Sequence, residues 1–281
     1  MPLSIVPTGK RWRYVRLALE AVFGHGGGFF IPYRYAGAVD DQKPLGQPIR
    51  QLFTASETDT GEHLKRIAAL AEDLSAIGVD AAAPAPRWNQ SWFPGLDAAA
   101  YYAMIRYRKP KRIIEVGSGH STRFALQAIS DGDLETKIDA IDPAPRATLA
   151  NAPDLPITWH GTTVEKFGPA PALEPGDILF IDSSHILMPG SDVDVLFHDW
   201  LPSLPPGVVI HIHDIFLPET YPAEWQWRGY NEQPLVAALI GTNAYRILFA
   251  SAHARATMAT QLPALHLPDG AIESSLWLEK Y

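Results

Sequence analysis

The chain of 281 residues contains no cysteine. That excludes a disulfide framework, a Cys-ligated zinc, an iron–sulfur cluster and a thiol nucleophile. It is also compatible with a reducing cytoplasm, which is the expected compartment. Basic charge is scarce: 23 Lys and Arg stand against 31 Asp and Glu, a formal net charge of −8. Neutralising phosphates requires a basic face, so nucleic acid is not an expected partner. Long apolar runs are missing too, since none approaches the ~18 residues of a membrane span. The stretch 17–23, behind Lys10, Arg11, Arg13 and Arg16, is interrupted by Glu20 and too short for a signal-peptide core. A helix packed on its own domain explains 10–23 more plainly than one lying on a membrane surface. What the chain does have is apolar material, 47% against 19% charged residues, enough for one large core or a core with an extension. A homo-oligomer is compatible with all of this.

Residues 1–96 read as a mainly helical extension or cap. Helices are expected over 11–23 and 62–77, the second with Leu64, Ile67, Ala68, Ala71, Leu74 and Ile77 at helical spacing up to Gly78. Between them lie a glycine-rich stretch, 24–28, and the aromatic segment 29–35. The Ala- and Pro-rich stretch 81–86 reads as a stiff linker. From residue 97 to 281, short apolar runs alternate with helical stretches, the pattern of parallel strands joined by crossover helices. Strands are expected at 112–116, 138–142, 157–160, 177–182, 208–213, 246–250 and 275–279, and helices at 97–107, 121–130, 144–151, 191–204 and 234–240. A three-layer α/β/α sandwich follows, with ligands at the carboxyl ends of its strands.

At the first strand end, Glu115-Val116-Gly117-Ser118-Gly119-His120-Ser121 is a glycine turn leading into a helix. Small residues there let a ligand approach the backbone closely. A carboxylate two residues before the first glycine repels a dinucleotide's pyrophosphate, whereas it favours the ammonium of S-adenosylmethionine. Asp142, ending the second strand, can accept from two ribose hydroxyls and so marks an adenosine cofactor without choosing between these two.

With Ala140-Ile141-Asp142-Pro143, the fourth-strand segment Asp177-Ile178-Leu179-Phe180-Ile181-Asp182-Ser183-Ser184-His185 and the fifth-strand segment Pro206-Gly207-Val208-Val209-Ile210-His211-Ile212-His213-Asp214, the sequence resembles the class I S-adenosylmethionine-dependent methyltransferases, in the subgroup of macrocin and catechol O-methyltransferases. The resemblance spans about residues 97–281. It implies a Rossmann-like sheet of seven mostly parallel strands with an antiparallel last strand, a role the segment 275–279 can fill. It implies cofactor binding by Glu115, Gly117, Ser118, Gly119 and Asp142, with Asp182 near them. Ser121 stands where the family has its third glycine and suggests a hydroxyl near the methionine carboxylate. Thr162, after the third strand, sits where this fold contacts the adenine.

Catechol O-methyltransferase-like enzymes hold a divalent ion with an acid after the fourth strand and two side chains after the fifth, and a base follows the first acid by three residues. Carried over, Asp182, His213 and Asp214 are the metal positions and His185 the base, with Asp182 sharing the catalytic role. A histidine stands where the family has an acid, which suits Mn²⁺, Fe²⁺ or Zn²⁺ as well as Mg²⁺. His211 is read as a core histidine facing away from His213, and His198 as a packing or solvent-facing one. The aromatic loop 215–232 and the segment 29–35 suggest a ring-bearing, hydroxylated small-molecule acceptor, a sugar, polyketide or phenol. Three other classes fit less well. A hydrolase lacks the elbow glycine where Arg123 stands, an NAD-dependent oxidoreductase is disfavoured by Glu115, and a non-catalytic cofactor-binding module has both sets of acids against it.

Overall fold

The computed structural model describes residues 11–23, 31, 33–40, 42–145 and 155–281. Their contacts divide the chain into two compact units, one of residues 1–45 with 219–230, the other of residues 46–218 with 231–281. In the smaller unit, α1 (Arg11–Phe23) fills the helix expected there. The Tyr14 hydroxyl donates to the Trp227 carbonyl, and the Arg228 guanidinium lies 3.8 Å over the Trp225 ring. The middle of the aromatic loop therefore clusters with the N-terminal segment.

The larger unit starts at residue 46, so residues 46–96, grouped above with the extension, pack with the sheet. The helices α2 (Gln47–Ala55), α3 (Glu57–Ala69) and α4 (Ala71–Ala76) replace the single helix expected over 62–77. Leu64, Ile67 and Leu74 are buried at the expected spacing. Next comes α5 (Gly95–Arg108), against which α3 packs. Its face toward the core is a run of small and aromatic residues, Ala98 to Ala100, Tyr101 and Tyr102, all fully buried. The segment 81–86 joins parts of one unit and does not separate two.

The sheet alternates strands with crossovers: β1 (Arg112–Val116), α6 (His120–Asp131), β2 (Lys137–Ile141), β3 (Ile157–His160), α7 (Val164–Phe167) and β4 (Ile178–Ile181). There follow α8 (Asp192–Val195), a wider turn over Leu196–Trp200, α9 (Leu201–Ser203), β5 (Val209–Ile212), α10 (Gln233–Gly241), β6 (Tyr245–Ala250), α11 (Ser251–Thr257) and β7 (Leu276–Lys280). The helix expected over 191–204 is thus interrupted, with a wide turn followed by Pro202 inside its last turn. Most of the helix expected over 144–151 lies outside the described residues.

The strand order is β3-β2-β1-β4-β5-β7-β6. Strands β1 to β5 run parallel, and β7 is inserted antiparallel to both β5 and β6. The seven mostly parallel strands between helices are the α/β/α sandwich read from the sequence. Strands β4 and β5 are buried at every residue, which is why they read as apolar runs, broken only by His211 in β5. Because β2 and β3 lie on one side of β1, and β4 and β5 on the other, a crevice opens beyond the carboxyl ends of β1 and β4.

Candidate active site

The first wall of that crevice is the turn after β1. Gly117 has φ +77°, and a Cβ there would lie 2.0 Å from the Asp182 carbonyl oxygen. Only glycine tolerates both the left-handed backbone and that approach. The Gly117 amide donates to the Ile141 carbonyl (3.0 Å), and the Asp182 amide donates to the Val116 carbonyl (2.9 Å), so three strand ends are stitched together. Gly119 is extended, and its missing side chain leaves open space.

Asp142 is 9% exposed. Its Oδ2 accepts from the Ser118 amide (3.0 Å) and hydroxyl (2.6 Å), and its Oδ1 from the Ala144 amide (2.8 Å). A carboxylate has about four acceptor positions, so one is left for a ligand. Glu115 is fully buried; the Ser121 hydroxyl donates to its Oε1 (2.6 Å) while Oε2 has no partner. Burial pushes its carboxyl up to about 8, against the hydrogen bonds of Ser121 and Thr122, and Asp182 and Asp142 add to the rise. An orphaned buried oxygen of this kind is costly and suits a ligand that donates to it. The donor set thus fits an adenosine cofactor with an ammonium end. Thr162 lies on the loop after β3, where its amide donates to the His160 carbonyl (2.8 Å) and its hydroxyl faces Thr163.

The second wall is a cluster of charges at the ends of β4 and β5. His185 Nε2 lies 3.3 Å from Asp182 Oδ1 and 3.5 Å from Asp214 Oδ2. Its Nδ1 is 3.0 Å from Glu232 Oε2. His213 Nδ1 faces Asp182 Oδ1 and Asp214 Oδ1, each at 3.5 Å, and its Nε2 faces Asp97 Oδ2 at 3.4 Å. His185, His213, Asp214, Glu232 and Asp97 are all buried, and the Asp182 side chain, 39% exposed, is the accessible one. His185 and Asp214 both adopt left-handed backbone, φ 61° and 55°. Such conformations cost free energy in non-glycine residues and collect at functional sites. The Asn231 amide donates to the His185 carbonyl (3.1 Å) and Asn231 Oδ1 accepts from the Leu187 amide, which pins the strained loop.

Burial on its own lowers the two imidazoles, yet the carboxylates outweigh it. Asp182, Glu232 and Asp214 raise His185 well above its ordinary value, and Asp214, Asp182 and Asp97 do the same for His213. Burial raises Asp182, but His213 and His185 hold it below the usual carboxylate range. Burial raises Glu232 despite His185.

All four predicted acceptor residues, Asp182, His185, His213 and Asp214, meet in this cluster. Their arrangement does not suit a metal. Each imidazole nitrogen points at carboxylate oxygens as a donor, Asp214 Oδ1 accepts from the Ser274 hydroxyl (3.0 Å), and among the described residues no group of three or more such side chains is placed to hold an ion. His211 is fully buried, with Nε2 2.9 Å from the Ser275 hydroxyl and its ring stacked 3.9 Å from Phe180. It is the expected core histidine, but it does not face away from His213. Residues two apart on a strand share a face, and the two rings are 5.8 Å apart. His198 is surface-exposed beside Asp194.

Two members escaped the sequence reading. Asp97 accepts from the Ser251 hydroxyl and the Ser274 and Ser275 amides, and holds His213 in place. Its one signal was a lone acid in the apolar stretch 95–105. Glu232 gave none, because its closeness to His185 depends on how α10 docks.

Residues 114–215 match the family model described as "Methyltransferase domain". None of the curated proteins matches the chain. Among solved structures it is similar to a Podospora anserina methyltransferase with S-adenosylhomocysteine bound, at 14% identity over 90% of this chain and 99% of that one, TM-score 0.43. It is also similar to TomG, an O-methyltransferase of Streptomyces achromogenes involved in tomaymycin synthesis, at 15% identity over 78% and 89%, TM-score 0.40. Human N-acetylserotonin methyltransferase gives 15% identity over 95% and 66%, TM-score 0.42.

Proposed function

We propose that this chain, an S-adenosylmethionine-dependent methyltransferase of class I, transfers its methyl group to a hydroxyl of a small molecule and handles the hydroxyl proton with Asp182 and His185. The observation that carries the reading is the junction at Gly117, where the cofactor turn touches the backbone of Asp182 and so sets the proton-handling cluster beside it. When bound, S-adenosylmethionine supplies a methyl group on a positively charged sulfur. Glu115 and Asp142 would hold the ammonium and ribose ends, with Gly117, Ser118 and Gly119 forming the turn beneath, Ser121 orienting Glu115 and Thr162 on the adenine side.

The remaining steps belong to this chain's side chains. Asp182, the exposed end of the cluster, accepts a hydrogen bond from the acceptor hydroxyl and aligns it; alignment of this kind accounts for much of the rate enhancement in group transfer. As the oxygen attacks, its proton passes to the ionised carboxylate of Asp182, which His185 Nε2, 3.3 Å behind it, holds in place as a donor. Glu232, on the other ring nitrogen, fixes the imidazole's orientation and supports its positive charge, as a carboxylate does behind a catalytic histidine. His213, held by Asp97, keeps Asp182 ionised. Because the donor set does not suit a metal, no step is assigned to one.

The test is calorimetric titration with S-adenosylmethionine and S-adenosylhomocysteine, followed by mass spectrometry of hydroxylated and amine-bearing acceptors after incubation, with and without EDTA. Micromolar binding, a gain of one methyl on a hydroxylated acceptor and indifference to EDTA are expected. Methylation confined to amines would overturn the acceptor assignment, and abolition by EDTA would restore a metal to the site.

A further inference from the structure

Beside the turn after β1 lie two guanidiniums and an imidazole that the proposed reaction does not use. Arg123, in the first turn of α6, is 7% exposed, and its Nε has no hydrogen-bond partner. The same is true of His120 Nδ1, from the first residue of that helix, and of Arg87 Nε. Arg87 reaches this place because Trp88 packs on Phe124, ring centroids 5.0 Å apart. Arg123 and Arg87 both act electrostatically on His120, and Arg87 acts on Arg123. Burying a guanidinium nitrogen unpaired, within the field of a second guanidinium, is expensive. The twelve-residue helix α6 adds the partial positive charge of its N-terminus. An anion entering from outside would relieve that cost.

We propose that Arg87, His120 and Arg123 form a receptor for a ligand carboxylate at the start of α6. The planar fork of a guanidinium matches the two oxygens of a carboxylate. Burial and the two guanidiniums push His120 down to about 4, so its imidazole is neutral before the anion arrives and offers a hydrogen bond without adding repulsion. Two sources share this chemistry: the amino-acid end of the methyl donor, on the reading above, or an acid group on the acceptor. Glu115 Oε2, the unpartnered acceptor after which the same turn begins, is the complementary group for an ammonium. A ligand carrying both charges would satisfy both orphans.

The experiment compares the full chain with Arg123→Met and, on the half-buried loop position, Arg87→Met, each checked for folding by thermal unfolding. Calorimetry with S-adenosylhomocysteine and with 5′-methylthioadenosine, which lacks the amino-acid end, reads the cofactor source. A fall of about 10- to 100-fold for the first ligand only, in either folded variant, assigns the receptor to the cofactor. The arginine Nε–H signals of the ¹⁵N-labelled protein, titrated with acetate, read the other source. A saturable shift of the Arg123 signal in protein already saturated with S-adenosylhomocysteine, with that ligand's affinity unchanged in the variants, assigns it to an acceptor. Unchanged affinities with no acetate shift overturn the proposal. If wild type binds neither adenosine ligand, the methyltransferase reading fails, and the acetate titration alone decides the receptor.

Discussion

The two walls of the crevice are built on opposite plans. The wall proposed for the cofactor is mostly local: Glu115, Gly117, Ser118, Gly119 and Ser121 lie within one turn, and its distant side-chain partner is Asp142, at the end of the neighbouring strand. The wall proposed for the acceptor is assembled from Asp97, Asp182, His185, His213, Asp214 and Glu232, on four stretches of chain. Its two imidazoles are each held by carboxylates, although Glu232 Oε1 has no partner and Asp182 is partly exposed, whereas the wall assigned to the cofactor leaves Glu115 Oε2, two guanidinium nitrogens and an imidazole nitrogen unpartnered. On the proposed reading, a wall whose imidazoles are held by carboxylates is preorganised to move a proton, and one with more unpartnered groups around its turn takes a charged ligand.

The most damaging test of that contrast is Gly117→Ala, which strikes the joint between the walls. The added methyl meets a backbone oxygen at 2.0 Å in a left-handed position, so a loss above ~4 kcal/mol or failure to fold is expected. Urea unfolding measures it. An alanine variant of wild-type stability would mean that the two walls are not coupled there. His185→Ala comes next: turnover should drop by about 10²–10⁴-fold with S-adenosylhomocysteine affinity retained. Loss of both together, in a folded protein, would merge the walls. Asp142→Ala should do the reverse, weakening S-adenosylhomocysteine binding by about 10- to 100-fold, since it removes the acceptor that also anchors Ser118 and Ala144.

The smallest effect is in pH. With Glu115 raised to about 8, its carboxyl is largely protonated in the free protein at neutral pH. A ligand ammonium favours the ionised form, so binding releases a proton and affinity should rise with pH by up to about tenfold per unit until pH 8, then level. Affinity that stays flat from pH 6 to 8 would show that Glu115 does not face the ammonium.

Much of this architecture was legible. Strands buried on both faces are mostly apolar, so β1, β4 and β5 announced themselves despite Glu115 and His211, and the turn at Gly117 is visible because its residues are contiguous. Asp182, His185, His213 and Asp214 could be grouped because parallel strands place their carboxyl ends together. The orientation of His211 was misread against the period-two rule of the strand. Asp97 and Glu232 stayed hidden because nothing in their local sequence separates them from a helix start on the surface.

By itself the sequence determined the order of elements, the glycine at the strained turn and the chemical types brought to the strand ends, since periodicity and backbone sterics act over a few residues. Only tertiary structure decided which carboxylate stands behind which imidazole, that the donors pair with each other rather than converge on an ion, and that residues 46–96 belong to the sheet's unit. Those outcomes depend on how helices dock through buried surfaces, and docking within a few ångströms is a property of the packed chain that no local pattern records.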